Sequence, residues 1–452
     1  MNNIEISKYF ASFIQQNTLS EERKVFAQHF IEKGIPSAKD EMWKNFNWNF
    51  LNENTYIEPS ENIEYQNIIE NIHCNVQNFD AYLFSFLNGR YMHKQAPLTI
   101  FPNGVVIGSL LQAKQQYSDL INRYLQQSQQ QKHSSLFDLA STLYQDGFFI
   151  YVPQGLNLKN AIQIINAINT DKNLFINTKN IVILEKNASL QLIHCDESLS
   201  QEHTLLNSAT EIFVGENAHL DYYKLENKDN HSILINDLTL YQSEKSQVNT
   251  YTNVFNGGCV HNTIHSHLIG ENAEIKLNGL FLVDKQQQVS NCLSVHHHVP
   301  KCKSTQLYNG IVDDKAQANF IGHIFVAPDA QKTEAYQINH NILLTDEATM
   351  HANPFLEIYA DDVKCSHGAT IGQLDNDAIF YLRSRGICEK NAKMLLMHAF
   401  AKEVFAHINI ANLVDYLESL VEKRLSGQNI SCVNCNLCSN QTIHFDIKMP
   451  EL

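Results

Sequence analysis

The chain has 452 residues, 44% of them hydrophobic, and a formal net charge of -15, which gives ample material for two or three buried units. The acidic balance, spread without long single-sign blocks, argues against nucleic acid as the partner, because phosphate binding needs a positive footprint; proteins or metals remain. No apolar run reaches the roughly 18 to 20 residues that cross a bilayer, and Met1 is followed by polar residues rather than a basic and then apolar leader, so a cytoplasmic location is expected.

The first hundred residues show helical spacing. Ile6, Tyr9, Phe10, Phe13 and Ile14 recur at intervals of three and four, which predicts one buried face. A second helix is expected after Ser20, a capping residue, carrying Val25, Phe26 and Phe30 and stopped by Gly34. The stretch Gly34 to Lys44 follows as a turn with a proline stop and a large anchor, Trp43. Between Tyr124 and Ser135 a Gln-rich run has little to bury and predicts a surface loop or linker.

From about Asn160 to Leu374 short alternating strands are broken by turns that resemble one another. Asn187-Ala188, Asn217-Ala218, Lys245-Ser246 and Asn272-Ala273 bring a small residue back every 27 to 30 positions, with further alanine turns at Ala316, Ala330 and Ala348. Stacked coils need a small side chain at each corner. This predicts a mainly β fold, a solenoid of strands, with an antiparallel sandwich as the alternative. After Leu374 helices return: Ala392, Leu395, Leu396, Ala399, Phe400 and Val404 form one stripe, and Leu413, Tyr416, Leu417, Leu420 and Val421 another, expected to cap the solenoid or dock a partner. The expected divisions are 1–155, an N-terminal helical region with a polar linker; 156–374, the solenoid core; 375–426, a C-terminal helical region; and 427–452, a cysteine-containing tail.

Ten cysteines at irregular spacing do not form a disulfide framework; reduced thiols, some of them metal ligands, fit better. Three groups carry ligand chemistry. Cys365 and His367 lie two apart, so in an extended segment a thiolate and an imidazole share a face and could reach one metal or cluster edge; packing with a hydrogen bond is the plainer alternative. Between Asn291 and Cys302 lie Cys292, His296, His297, His298 and Cys302, of which alternation lets at most His296, His298 and Cys302 converge. A polar strand edge is the alternative there. The tail residues Cys432, Cys435 and Cys438 have the spacing of a thiolate loop around zinc, copper or a cluster, with His444 available to complete it; a flexible or redox-sensitive extension is the alternative. No glycine-rich phosphate loop and no Gly-x-Ser-x-Gly elbow occurs.

The segment Leu356 to Leu374, containing Asp361-Asp362-Val363 and Cys365-Ser366-His367-Gly368-Ala369-Thr370, continues into Tyr381-Leu382-Arg383-Ser384-Arg385-Gly386. It resembles the C-terminal signature of the SufB/SufD family. The likeness extends through Cys302 to Leu307, Gln331 to Thr333, Asn341 to Leu344 and the turn Gly34 to Lys44, and is weakest over 45–150 and after 426. Within the family it leans to the SufD branch; Asn309 departs from the basic residue many members carry.

The resemblance implies a right-handed parallel β-helix flanked by N-terminal and C-terminal α-helical regions, and a non-catalytic scaffold of iron-sulfur cluster assembly in the SUF system. It further implies a heterodimer with SufB and docking of the SufC ATPase on the C-terminal helices, for which Leu395, Phe400, Lys402 and Glu403 are the candidates. A transient iron-sulfur cluster or iron would be shared with SufB, with His367 as interface ligand and Cys365 as its helper, and no nucleotide would be bound by this chain. A homodimer is conceivable for the isolated subunit. Two rivals stand beside this reading: a SufB-like homo-oligomeric scaffold, and a β-helix enzyme acting on polysaccharide, which would need grouped carboxylates along one face.

Overall fold

Six turns share one backbone conformation. Asn187, Asn217, Lys245, Asn272, Lys301 and Lys332 all have φ between 54° and 62°, the left-handed region that reverses a chain tightly. Each precedes a fully buried corner residue: Ala188, Ala218, Ser246, Ala273, Cys302 and Thr333. The turns recur every 27 to 31 residues, and their corners stack so closely that a Cβ on Gly270 would lie 2.0 Å from the Glu244 backbone nitrogen of the previous coil. The sequence repeat is therefore the pitch of a solenoid.

The computed structural model describes residues 3–37, 39–60, 81–93, 96–128 and 133–426. Its strands form two ten-stranded sheets facing each other. One begins with Arg90–Tyr91 and Ala81–Leu87 and steps through Ala161–Ile168, Ser189–Ser198, His219–Asn227 and onward to Glu334–Leu343 and Lys364–Gly372. The other begins with a short antiparallel group, Leu98–Ile100, Val106–Ser109 and Phe148–Val152, and ends at Gln288–His297, Gln317–Val326 and Thr349–Ile358. Along the solenoid each strand pairs in parallel with its counterpart one coil away. The antiparallel sandwich is thereby excluded. The segment before 156, expected to be helical, also supplies the first rungs, through Ala81–Leu87 and Phe148–Val152.

Inward side chains such as Ile164, Leu192, Leu220, Ile275 and Phe320 build a continuous apolar column. One level of that column is polar. Lys224 pairs with Asp196 and approaches both ring nitrogens of His194, at 3.3 and 3.2 Å. The Tyr222 hydroxyl lies 2.8 Å from His194 Nδ1, Asn166 donates to Asp196 at 3.2 Å, and Asn262 donates to Glu226 at 3.0 Å. All are buried, so the charges are balanced by one another.

Helices cover both flanks. Asn3–Gln16 buries Ile6, Phe10, Phe13 and Ile14 as the spacing predicts, and Ser20 and Gly34 cap Glu21–Lys33. That second helix, however, leaves Val25 exposed and buries Ala27 with Phe30. Trp43 stacks on His261 with ring centroids 3.8 Å apart. The run expected to be a loop from Tyr124 is helical as far as Ser128, because Ile121 and Leu125, one turn apart, pack against Phe149, Ile181 and Phe213.

The C-terminal helices Glu389–Phe405 and Ala411–Leu425 lie along the outer side of the sheet that contains Ser189–Ser198 and His219–Asn227, against Ile193, Tyr223, Tyr251 and Leu280. They cover a flank, and among the described residues the end of the coil is left open. Ala411–Leu425 buries Leu413, Leu417, Leu420 and Val421, as expected. Glu389–Phe405 seats on Ala392, Met397, Ala401, Val404 and Phe405, whereas Leu395 and Ala399 of the expected stripe are exposed. Apolar residues occur on more than one face of this helix, and contact with the sheet decides which face is used. No helix among the described residues is long and apolar enough to cross a membrane.

Arg424 clamps the last helix to the solenoid. It reaches both oxygens of Asp284 at 2.6 and 2.7 Å and donates to the Phe255 carbonyl at 2.8 Å. A bidentate pair with a further carbonyl bond is worth more than a surface ion pair. Arg424→Met is expected to loosen the helix pair by about 1.5–3 kcal/mol, read as faster limited proteolysis within 376–426 at unchanged β-sheet circular dichroism.

Candidate functional site

The last strand, Lys364–Gly372, pairs with Glu334–Leu343 on one side only. Register places Cys365 beside Ala335 and His367 beside Gln337, both inward-facing and buried. Cys365, His367, Ala369 and Ile371 therefore form the final inward row, with no further coil above it among the described residues. Cys365 is half-buried beside Ala335, Val363 and Leu356, and burial pushes its thiol above the ordinary value, partly offset by a backbone bond from Ala335. His367 is exposed. The shared face read from the two-residue spacing is present, and the pair sits at the mouth of the solenoid.

Apolar side chains are exposed on the last coils: Tyr336, Ile338 and Phe355 on the outward sheet faces, Ile358 and Ile371 on the inward ones, and Tyr359, Tyr381 and Phe380, the last 74% exposed, on the segments that follow. Two sheet edges, from Lys364–Gly372 and Thr349–Ile358, end there. Exposed apolar side chains beside unpaired backbone edges are what a second chain continues or covers.

The other candidates fall elsewhere. Leu395 is exposed, but Phe400 packs on the flank cluster. Lys402 pairs with Glu418 at 2.8 Å, and Asn309 donates to Glu403 and to the Phe400 carbonyl, both at 3.0 Å. Asn309 is thus a strut holding the helix to the solenoid. Cys292 is buried with its thiol on the Met42 carbonyl. Cys302 does not converge on the histidines: it occupies the corner stack, bonded to the Gly270 carbonyl at 3.3 Å. His297 is buried and meets Ser304 at 2.9 Å, while His296 and His298 stack on the outer face together with His267. Cys432, Cys435, Cys438 and His444 lie outside the described residues.

His267 was not singled out in the sequence, although the coil pitch would have found it: it lies 29 residues before His296, its in-register neighbour. The same step from Ala273 leads to Cys302 and marks it as a corner.

Residues 166–400 match the family model described as SUF system FeS cluster assembly, SufBD core domain, and residues 8–164 match the SufBD protein N-terminal region. Over 246 residues the chain is 35% identical to the iron-sulfur cluster assembly protein SufD of Escherichia coli K12, covering 54% of this chain and 58% of that protein. It is 27% identical over 349 residues to a SufBD family protein of Synechocystis, covering 75% and 77%. To SufD of Bacillus subtilis it is 23% identical over 397 residues, covering 86% and 91%. With both family models matched over nearly the whole described solenoid and its N-terminal cover, the chain belongs to the SufBD family of iron-sulfur cluster assembly proteins and is of the SufD type.

Proposed function

We propose that this chain is a non-catalytic scaffold subunit that joins SufB at the open end of its solenoid and presents His367, helped by Cys365, to an iron-sulfur cluster under construction there. The observation that carries this reading is the placement of both residues on the final inward row, beside unpaired sheet edges and exposed apolar side chains of the last coils. A SufB coil stacked on that edge would enclose the pair and give them partners. In the absence of SufB, the same edge would accept a second copy of this chain.

An imidazole suits such a duty. A neutral nitrogen donor holds iron less strongly than a thiolate, so a scaffold ligand of this kind releases its product more readily. ATP hydrolysis is assigned to SufC, docked on the outer face of Glu389–Phe405 around exposed Leu395; because Lys402 and Glu403 already have partners within the chain, they tune that face rather than form its centre.

His367→Ala is expected to lower several-fold the cluster built on the co-expressed complex with SufB and SufC, measured by anaerobic absorbance and iron content, with Cys365→Ser costing less and neither preventing complex formation. His351, exposed on the outward side of Thr349–Ile358, provides the control. Normal cluster yield from the His367→Ala complex would sink the assignment.

A further inference from the structure

The outer side of the sheet that contains Gln288–His297 carries a column of rings running across the coils: Tyr241, His267, His296, Phe325 and Tyr359. Two of its members are histidines on adjacent coils, in register, with centroids 4.8 Å apart. The chain leaves the strand immediately after His297, which turns His298 back beside them: His298 Nε2 lies 3.1 Å from His267 Nδ1. One ring nitrogen from each of His267, His296 and His298 falls within a common span of 4.8 Å. His267 is buried, and the other two are partly open to solvent, so an ion has access from outside.

The spacing has a chemical meaning. Tetrahedral zinc with bonds of about 2.0–2.1 Å to nitrogen separates its ligand nitrogens by about 3.3 Å, and the His267–His298 pair already stands near that value. An aromatic ladder alone would be satisfied by Tyr or Phe, as at Tyr241 and Phe325, and would not require three ring nitrogens to converge.

A supporting shell is present as well. Ser294 Oγ lies 2.9 Å from His296 Nε2 and 3.1 Å from His323 Nδ1, and His323 Nε2 lies 3.2 Å from Glu357. This chain of contacts fixes the His296 ring and ends on a carboxylate, the arrangement that orients metal-bound imidazoles.

The geometry points to a second metal site on this chain, in which His267, His296 and His298 bind one divalent transition-metal ion of the zinc or ferrous class through three neutral nitrogens, with the remaining position open to water. Imidazole ligands suit Zn2+, Fe2+, Ni2+ and Cu2+ and disfavour Mg2+ and Ca2+. The site lies two coils before the open end, about 10 Å along the solenoid axis at the sheet spacing, and on the outward side of its sheet. It is independent of the role given to Cys365 and His367.

The test uses the full-length chain carrying Cys432→Ser, Cys435→Ser and Cys438→Ser, so that tail thiolates do not compete, titrated anaerobically with Co2+. One equivalent is expected to bind with visible ligand-field bands and no thiolate-to-cobalt charge-transfer absorption, and Zn2+ is expected to bleach those bands. His296→Gln and His298→Asn, each made on that background, are expected to remove the equivalent. His323→Gln is expected to weaken it roughly 10- to 100-fold at unchanged stoichiometry. Absence of the bands from the parent chain, a measurement that needs no histidine variant to fold, would overturn the proposal; so would identical Co2+ uptake by the parent and both ligand variants.

Discussion

Lys224→Met is expected to destabilise the protein by about 3–5 kcal/mol, the usual cost of removing one partner from a buried ion pair. Lys224 lies inside the solenoid, and its ammonium is the counter-charge that holds the Asp196 carboxyl well below the usual carboxylate range despite complete burial. It also opposes the upward pull of burial on Glu226, whose carboxyl is nonetheless pushed up to about 7. Without it, Asp196 must either stay charged, with Asn166 and His194 beside it and the buried Lys228 ammonium as the remaining counter-charge, or take up a proton. The variant should therefore gain stability as pH is lowered toward the point where Asp196 is protonated, relative to the parent. Lys224→Met combined with Asp196→Asn should recover much of the loss, because an uncharged pair no longer carries the desolvation cost. Urea unfolding of both single variants and the double variant checks this; a loss below 1 kcal/mol for Lys224→Met would show that the pair is not the lynchpin of this level.

The second large effect is acid sensitivity between pH 6.5 and 4. Burial pushes His194, His261 and His297 down to about 3 and His265 down to about 4. Below the ordinary histidine value near 6.5 the unfolded chain binds protons that the native imidazoles refuse, so each contributes stability that is lost as pH falls toward its folded value. Glu226 and Asp237 act in the opposite sense: burial raises both to about 7, so the native state keeps protons the unfolded chain has released, and their contribution is lost as pH rises from about 4 to 7. The four histidines outnumber the two carboxyls, leaving a net loss of roughly 1.5 kcal/mol between pH 6.5 and 5.5, where the unfolded imidazoles are only partly protonated, and of roughly 3 kcal/mol for each further pH unit of acidification toward 4. Thermal unfolding followed by circular dichroism should show Tm falling by several degrees between pH 6.5 and 5.5. A flat or rising Tm over that interval would contradict it.

Much of the architecture was legible because a solenoid writes its pitch into the chain. Asn187-Ala188, Asn217-Ala218 and Asn272-Ala273 specify a left-handed turn and a small corner in two adjacent residues, and the interval between them is the coil. The pairing of Cys365 with His367 on one face was legible for an equally local reason, the two-residue period of a strand. That the face is the inward one, at an uncovered end, needs the register with Ala335 and Gln337 and is not local. The exposed Val25 and the misplaced stripe at Leu395 and Ala399 share a cause: helical spacing states which residues can share a face, and the sheet underneath chooses among the faces. His267 is not visible beside His296 and His298 from local spacing, because its neighbours are a full coil away in sequence; only the coil pitch brings them together.

Among the described residues the solenoid is covered along both flanks and bare at one end, and this asymmetry gives it a gradient of local opening. Each coil is held by the coils before and after it, so the amides of Lys364–Gly372, with neighbours on one side only, should exchange with solvent hydrogen far sooner than those of Ser189–Ser198 in the middle of the same sheet. The final rung is thus the first to fray, and the residues read as the working pair are on it. A partner that completes this edge would slow exchange there before any other segment, so the ordering of the last coil and the enclosure of His367 become one thermodynamic event.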